Sequence, residues 1–171
     1  MRGIVLKLTF LLVYWSLVGC GQELPKDRYL QYLLEDKRES YLAVVDKVLE
    51  ENIYRLEVTS NKEFYVEPAA INADSVVDMR ELIEDRLGLD LINTIFADGA
   101  FGVINEVSFF NYRKGFVFSG EHKGIAYIVD ESGIEAVAQL DKIDKSDTSI
   151  HGKRLYKFLE PHWYIFYEYF P

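Results

Sequence analysis

Four groups of side chains in this 171-residue chain are of the types that do chemistry. Ser119, Glu121 and His122 fall in the stretch "SGEH" and supply the hydroxyl, carboxylate and imidazole of an acyl-transfer relay. No G-x-S-x-G elbow surrounds Ser119, and the glycines from Gly120 to Gly124 are the usual means of reversing a strand, so the segment reads as a turn. His122, His151 and His162 stand 29 and 11 residues apart, without the short spacings or cysteine partners that bring ligands to one ion. They read as exposed turn histidines, and no metal or cofactor is expected. Asp141, Asp144 and Asp147 recur every third residue and lack the central Gly and bidentate Glu of a calcium loop, so they read as a solvated loop. Glu106 and Glu168 sit among apolar neighbours on predicted strands. They are the pair that a carboxylate-dependent hydrolase would use, since its acid and base come from distant strands; otherwise both face water.

The strongest binding signal is aromatic. In the terminal "HWYIFYEYF", Trp163, Ile165, Tyr167 and Tyr169 alternate with Tyr164, Phe166, Glu168 and Phe170, so both faces of a strand here are apolar or aromatic. Either the strand is covered on both sides, or one face lines a pocket or a partner surface, for which Tyr and Trp combine apolar bodies with polar tips. The candidate binding set is Trp163, Tyr164, Tyr167 and Tyr169, joined by Phe109, Tyr112, Phe116 and Tyr127 from neighbouring strands.

These residues need a frame. Between Pro25 and Glu51, Tyr29, Leu33, Leu34, Tyr41, Val44, Val45, Val48 and Leu49 recur at helical steps, which predicts one amphipathic helix, or two broken near Glu39 and Ser40. "NIYRLEVTSNKEFYVEP" alternates like a hairpin turning at Ser60 and Asn61. A second helix is predicted from an Asp74 N-cap to a stop at Gly88, and "LDLINTIFADG" adds a short helix. Then come "VINEVSFFNY", "KGFVFSG", "KGIAYIVD", "KRLYKFLE" and "HWYIFYEYF", aromatic and β-branched segments punctuated by glycine and proline. Helices first and strands later, without βαβ alternation, predict an α+β fold with N-terminal helices packed on one face of an antiparallel, aromatic-rich β-meander. That order also fits a cystatin-like or NTF2-like cone. The polar stretch from Asp141 to His151 is an exposed loop.

Charge narrows the partners. Lys plus Arg number 19 against 28 Asp plus Glu, and the acids are scattered, so the clustered basic surface needed for nucleic acid is missing. An acidic surface suits a basic protein partner.

The chain begins with Arg2 and Lys7, an apolar run from Leu8 to Val18, and small Gly19 before Cys20, the single cysteine. The run is too short to span a bilayer, which takes about 20 residues. Leu17, Val18, Gly19 and Cys20 resemble the lipobox of bacterial lipoproteins. The resemblance covers residues 1–20 and implies that Cys20 is lipidated with a diacylglyceryl group, that the signal is cut before it, and that the new N-terminus is acylated, with palmitate-type chains. The expected organisation is a signal peptide over 1–19, a lipidated tether over 20–24 and a single α+β domain over 25–171. It implies an envelope location with a membrane partner through the anchor; Gly21 after the cysteine, where retention in the inner membrane would want Asp, favours the periplasmic face of the outer membrane. No disulfide can form. The expected function is a non-enzymatic protein-binding module, one concrete form being an immunity-type inhibitor of a secreted toxin. The alternatives are a small-ligand-binding or hydrolase domain with a pocket between helices and sheet, and a purely structural lipoprotein.

Overall fold

The structure is a computed structural model and describes residues 23–58, 64–67, 73–88, 94–100, 103–116 and 119–171; Cys20 and the predicted turn at Ser60 and Asn61 lie outside them. Helix α1, Asp27–Glu50, is followed by strands β1, Arg55–Val58, and β2, Phe64–Glu67. Helix α2, Ala73–Glu81, runs on into a π-helical turn, Leu82–Leu87. Strands β3, Thr94–Ala100, β4, Val103–Phe116, β5, Ser119–Ile128, β6, Arg154–Glu160, and β7, Trp163–Phe170, complete one antiparallel sheet in the order β2-β1-β3-β4-β5-β7-β6. The fold is α+β, with two helices packed against an open, seven-stranded sheet that does not close into a barrel.

The helical stripe predicted from sequence is buried from Leu33 to Val48, whereas Tyr29 is exposed, its neighbour Leu30 being buried instead, and Leu49 is half-buried. Leu30, Leu33, Leu34, Tyr41, Val44, Val45 and Val48 of α1 all face the sheet and are buried. The seven-residue step from Leu34 to Tyr41 straddles Lys37, whose backbone leaves the helical region (φ −120°, ψ 21°), so the break falls two residues before the expected one and the helix continues through it. The second helix starts at Ala73. It ends as expected at Gly88, whose φ of +87° suits glycine and whose N–H donates to Ile83 O at 2.7 Å.

Two expectations about strands change. The segment around Thr94 to Gly99 is β3, not a helix: Thr94, Phe96 and Asp98 alternate with Ile95 and Ala97, a period of two that the preceding "LDLIN" hides. Gly120 and Gly124 do not end a strand either. They lie inside β5, and Gly124 is there because the sheet leaves no room for a side chain: a Cβ would stand 1.9 Å from Phe109 O and 2.8 Å from the Phe166 ring.

The core fills the space between α1 and the sheet. Tyr41 packs edge-on against Phe109 (4.8 Å between centroids) and Trp163 (6.0 Å), and Val107, Ile125, Ile165 and Leu56 surround them, all buried. One charge enters this side. Lys123 is fully buried, with its Nζ 2.7 Å from Asp27 Oδ1 and 2.8 Å from Asp141 Oδ1. Asp27 also accepts bonds from the Leu140 N–H (2.9 Å) and from Lys157 (3.2 Å). These contacts fasten the start of α1, the centre of β5, the edge strand β6 and the long β5–β6 loop to one another.

Asp27→Ala leaves buried Lys123 with Asp141 alone, so it is expected to lower the unfolding free energy in urea by less than the about 3–5 kcal/mol of a wholly unpaired buried charge, and adding Lys123→Met to recover part of the loss. Burial pushes the Asp27 carboxyl upward, but its bonds to Leu140, Lys123 and Lys157 outweigh this and hold it below the usual carboxylate range. Its contribution is complete above the unfolded value of about 3.9 and is lost as pH falls through the lower folded value. Urea midpoints of the native chain should drop with acidification over that window, and those of Asp27→Ala should drop less.

Candidate functional site

The sheet has a second face on which no described helix packs. Cross-strand register shows what lies there. Arg55 and Glu57 of β1 stand opposite Phe96 and Thr94 of β3; Thr94 and Phe96 stand opposite Phe110 and Ser108 of β4. On the far side His122 opposes Glu168, and Glu168 opposes Arg154. A bulge at Asn111 matters here: Phe110 pairs with Gly124 and Tyr112 with Lys123, so Asn111 is extra and Arg113, which would otherwise follow Phe109 to the helix side, joins the face of Phe110.

Phe110 is the hub. Its ring lies 4.9 Å from Phe166, 5.6 Å from Phe96 and 5.7 Å from His122, all edge-on. The guanidinium of Arg113 sits 5.7 Å from its centroid and that of Arg154 5.9 Å; Arg154 also covers Phe166 at 4.7 Å, and Arg55 lies between Tyr65 and Phe96 at 5.5 and 5.4 Å. Guanidinium groups and aromatic rings thus alternate across the sheet within cation–π range.

Arg154 ties the polar groups together. Its Nε donates to Glu168 Oε1 at 2.6 Å, and its Nη1 donates to Ser108 Oγ at 2.8 Å and to Glu106. Ser108 and Tyr156 in turn donate to Glu106, the tyrosine at 2.6 Å. Glu168 Oε2 lies 3.4 Å from His122 Nδ1. Burial pushes Glu168 upward, yet the His122 bond and the Arg154 charge prevail and hold it below the usual range. Burial and the adjoining Glu106 push the Tyr156 hydroxyl well above its ordinary value.

The structure thus brings Glu106 and Glu168 together, as a hydrolase reading requires, but through a shared arginine. A general acid must keep its proton near neutral pH, whereas Glu168 is held ionised and both carboxylates accept from Arg154. Arg154 thus holds both carboxylates in one hydrogen-bonded network. The Ser119, Glu121 and His122 relay is also separated: Glu121 points to the helix side, bonding Tyr167 (2.9 Å) and Lys145 (2.8 Å), while His122 points to the other. Nothing is described of the Ser119 side chain. His122 corrects the expectation of a turn residue, being buried in the middle of β5; His162 does sit in the β6–β7 turn (φ +69°), its N–H bonded to Glu131. Asp144 and Asp147 accept from Ser146 and Ser149 within their own turns, and among the described residues no three His, Cys, Asp or Glu groups converge as metal ligands.

Of the aromatic binding candidates, Trp163, Tyr167 and Phe109 are in the core beneath α1; Tyr112 is buried, and Tyr127 and Tyr169 are half-buried, on that same side. Of the candidates whose side chains are described, Tyr164 alone is on the second face, buried, donating to Glu131 at 2.7 Å; burial, and then this bond, push its hydroxyl up to about 12, and the Phe116 side chain lies outside the described residues. Sequence reasoning missed Phe96, Phe110, Arg113 and Arg154 and put His122 in a turn; these residues line a cleft of about 280 Å³ on this face with Ala97, Asp98, Ser108, Glu168 and Phe170. Comparison with protein-family models, curated proteins and solved structures found no match.

Arg154→Met removes the cation between two carboxylates, and the loss is expected to be about 3 kcal/mol in urea unfolding. The paired change Glu106→Gln with Glu168→Gln should cost less than Arg154→Met alone if the penalty is unpaired charge rather than lost packing; equal costs would refute that assignment.

Proposed function

We propose that this chain is a lipid-anchored envelope protein that works by binding, with the helix-free face of its sheet turned to its partner. The observation that carries the reading is that face: Arg113, Arg154, a buried histidine and edge-packed aromatic rings line a cleft that no described helix covers, while the opposite face is closed by α1. The lipobox over Leu17 to Cys20 supports the anchor, and among the described residues no helix is long and apolar enough to cross a membrane. Leu24 packs against the core, so with Cys20 lipidated only Gly21, Gln22 and Glu23 would be left as slack, about 13 Å at full stretch. The exposed Tyr29 and Tyr32, beside Lys26 and Arg28, then lie where amphipathic rings suit the headgroup layer. An acidic, anchored inhibitor of a basic secreted toxin is the concrete form this takes, with the partner in the periplasm.

Three variants of the full chain, expressed in a bacterial host, test the reading. Cys20→Ser should lose acyl labelling and accumulate uncleaved precursor; unchanged processing contradicts the anchor. Native protein extracted from the envelope should retain a stoichiometric protein partner that Arg113→Glu loses and Tyr29→Ser keeps. A partner equally retained by Arg113→Glu, or none with either, contradicts the use of this face.

A further inference from the structure

The solvent side of α1 changes character along its length. Arg28 and Tyr29 lie four and three residues before Tyr32, so the three share one face of the first two turns. Tyr29 is 46% and Tyr32 63% exposed, and neither hydroxyl bonds a described residue. Lys26 and Arg28 are exposed as well and pair with no described carboxylate. Past Tyr32 the exposed side chains are Glu35, Asp36, Glu39, Asp46 and Glu50, with Arg38 already paired to Glu160 at 2.7 Å. Aromatic rings and free cations thus occupy one end of the helix and acids the rest. The chain leading into that end is oily: the apolar run from Leu8 to Val18 stops six residues before Leu24, which packs against the core, a reach of about 20 Å.

We infer that the first two turns of α1 dock on the bilayer, with Tyr29 and Tyr32 in the headgroup layer, Lys26 and Arg28 against its phosphates, and the helix standing on this end. The inference rests on the membrane attachment read from residues 1–20, and adds to it a contact surface and an orientation. Tyrosine suits the interface because its ring enters the apolar boundary while its hydroxyl stays with headgroups and water. The long stems of Lys and Arg let their charges reach the phosphates from a backbone that stays outside. Of the acids at this end, Asp27 is buried against Lys123 and Lys157, and Glu23 is exposed, one carboxylate against two cations. Orientation follows from the acids further on. Lying flat, α1 would press Glu35, Asp36 and Glu39 onto the phosphates; standing on its N-terminal end, it holds them about 12 to 18 Å further along the axis than Asp27, beyond the Debye length of about 8 Å. The contact uses no residue of the cleft around Phe110, which stays available to a protein partner.

The test uses the full chain in nanodiscs of mixed phosphatidylethanolamine and phosphatidylglycerol, with a trace of lipid bearing a gadolinium chelate on its headgroup, and reads paramagnetic relaxation at backbone amides. Relaxation should be strongest from Lys26 to Tyr32 and fall more than about tenfold by Glu39, which lies about 15 Å further along α1 than Tyr29. Tyr29→Ser with Tyr32→Ser should reduce the ratio of docked to undocked orientations about tenfold, as two rings lose their apolar contact. Lys26→Glu with Arg28→Glu should reduce it at least as much, each cation near an anionic surface being worth about fivefold. Relaxation that is even along α1, strongest at another surface such as Val103 or Phe158, or unchanged by either double variant with native circular dichroism overturns the inference. Acyl labelling of Cys20 is read on the same sample. No labelling with this relaxation profile intact contradicts the lipid anchor and leaves the docking surface standing, because the apolar run still holds the chain in the disc. Labelling without relaxation at Tyr29 keeps the anchor and overturns the docking.

Discussion

A seven-stranded antiparallel sheet has two faces, and in this protein the described helices cover one. Everything distinctive stems from that imbalance. On the covered side the problem is solved with apolar packing around Tyr41, Phe109 and Trp163. On the other side β4, β5 and β7 still bury Phe110, Ala126 and Phe166, but the cover consists of their own neighbours' side chains. Arginine can do this because a guanidinium lies flat on a ring while its edges remain free for carboxylates, so Arg154 shields Phe166 and satisfies Glu106 and Glu168 at once.

The two faces also carry their charge differently. Lys123 on the helix side is enclosed by Asp27 and Asp141, and it serves to fix α1 and the β5–β6 loop. Around Phe110 the ion pairs are partly exposed, and the buried His122 Nε2 has no hydrogen-bond partner. The first arrangement is a fastening; the second ties three strands together through Arg154.

Much of the frame is legible in the sequence. The stripe from Leu33 to Val48, the hairpin around Leu56 and Val66, the stop at Gly88 and the alternation of the last strand all report periodicities set by burial, and burial decides them. The site is less legible. Alternation in "HWYIFYEYF" separates Trp163 and Tyr167 from Phe166 and Glu168, but does not say which face the helix takes, because both are aromatic. Phe96 is hidden in a segment whose apolar spacing suits a helix. His122 is hidden because Gly120 and Gly124, one at a positive φ and the other permitting close approach inside β5, look in sequence like glycines that permit a turn. Arg113 depends on the bulge at Asn111, a one-residue insertion that reverses the facing of the residues after it and leaves no mark in composition. Glu106 and Glu168 stand out in the sequence as a pair; that Arg154 joins them is a contact between distant strands that only the fold supplies.

The proposed role turns the face on which no described helix packs towards a partner at the membrane surface. Hydroxyl-radical footprinting of the full chain tests it directly by comparing the purified protein with the protein in intact envelopes. The account predicts that Tyr65, Phe96 and Phe158 are labelled in the purified protein and protected in the envelope, while Tyr54 changes little. Protection confined to α1, or identical labelling in both preparations, would contradict it.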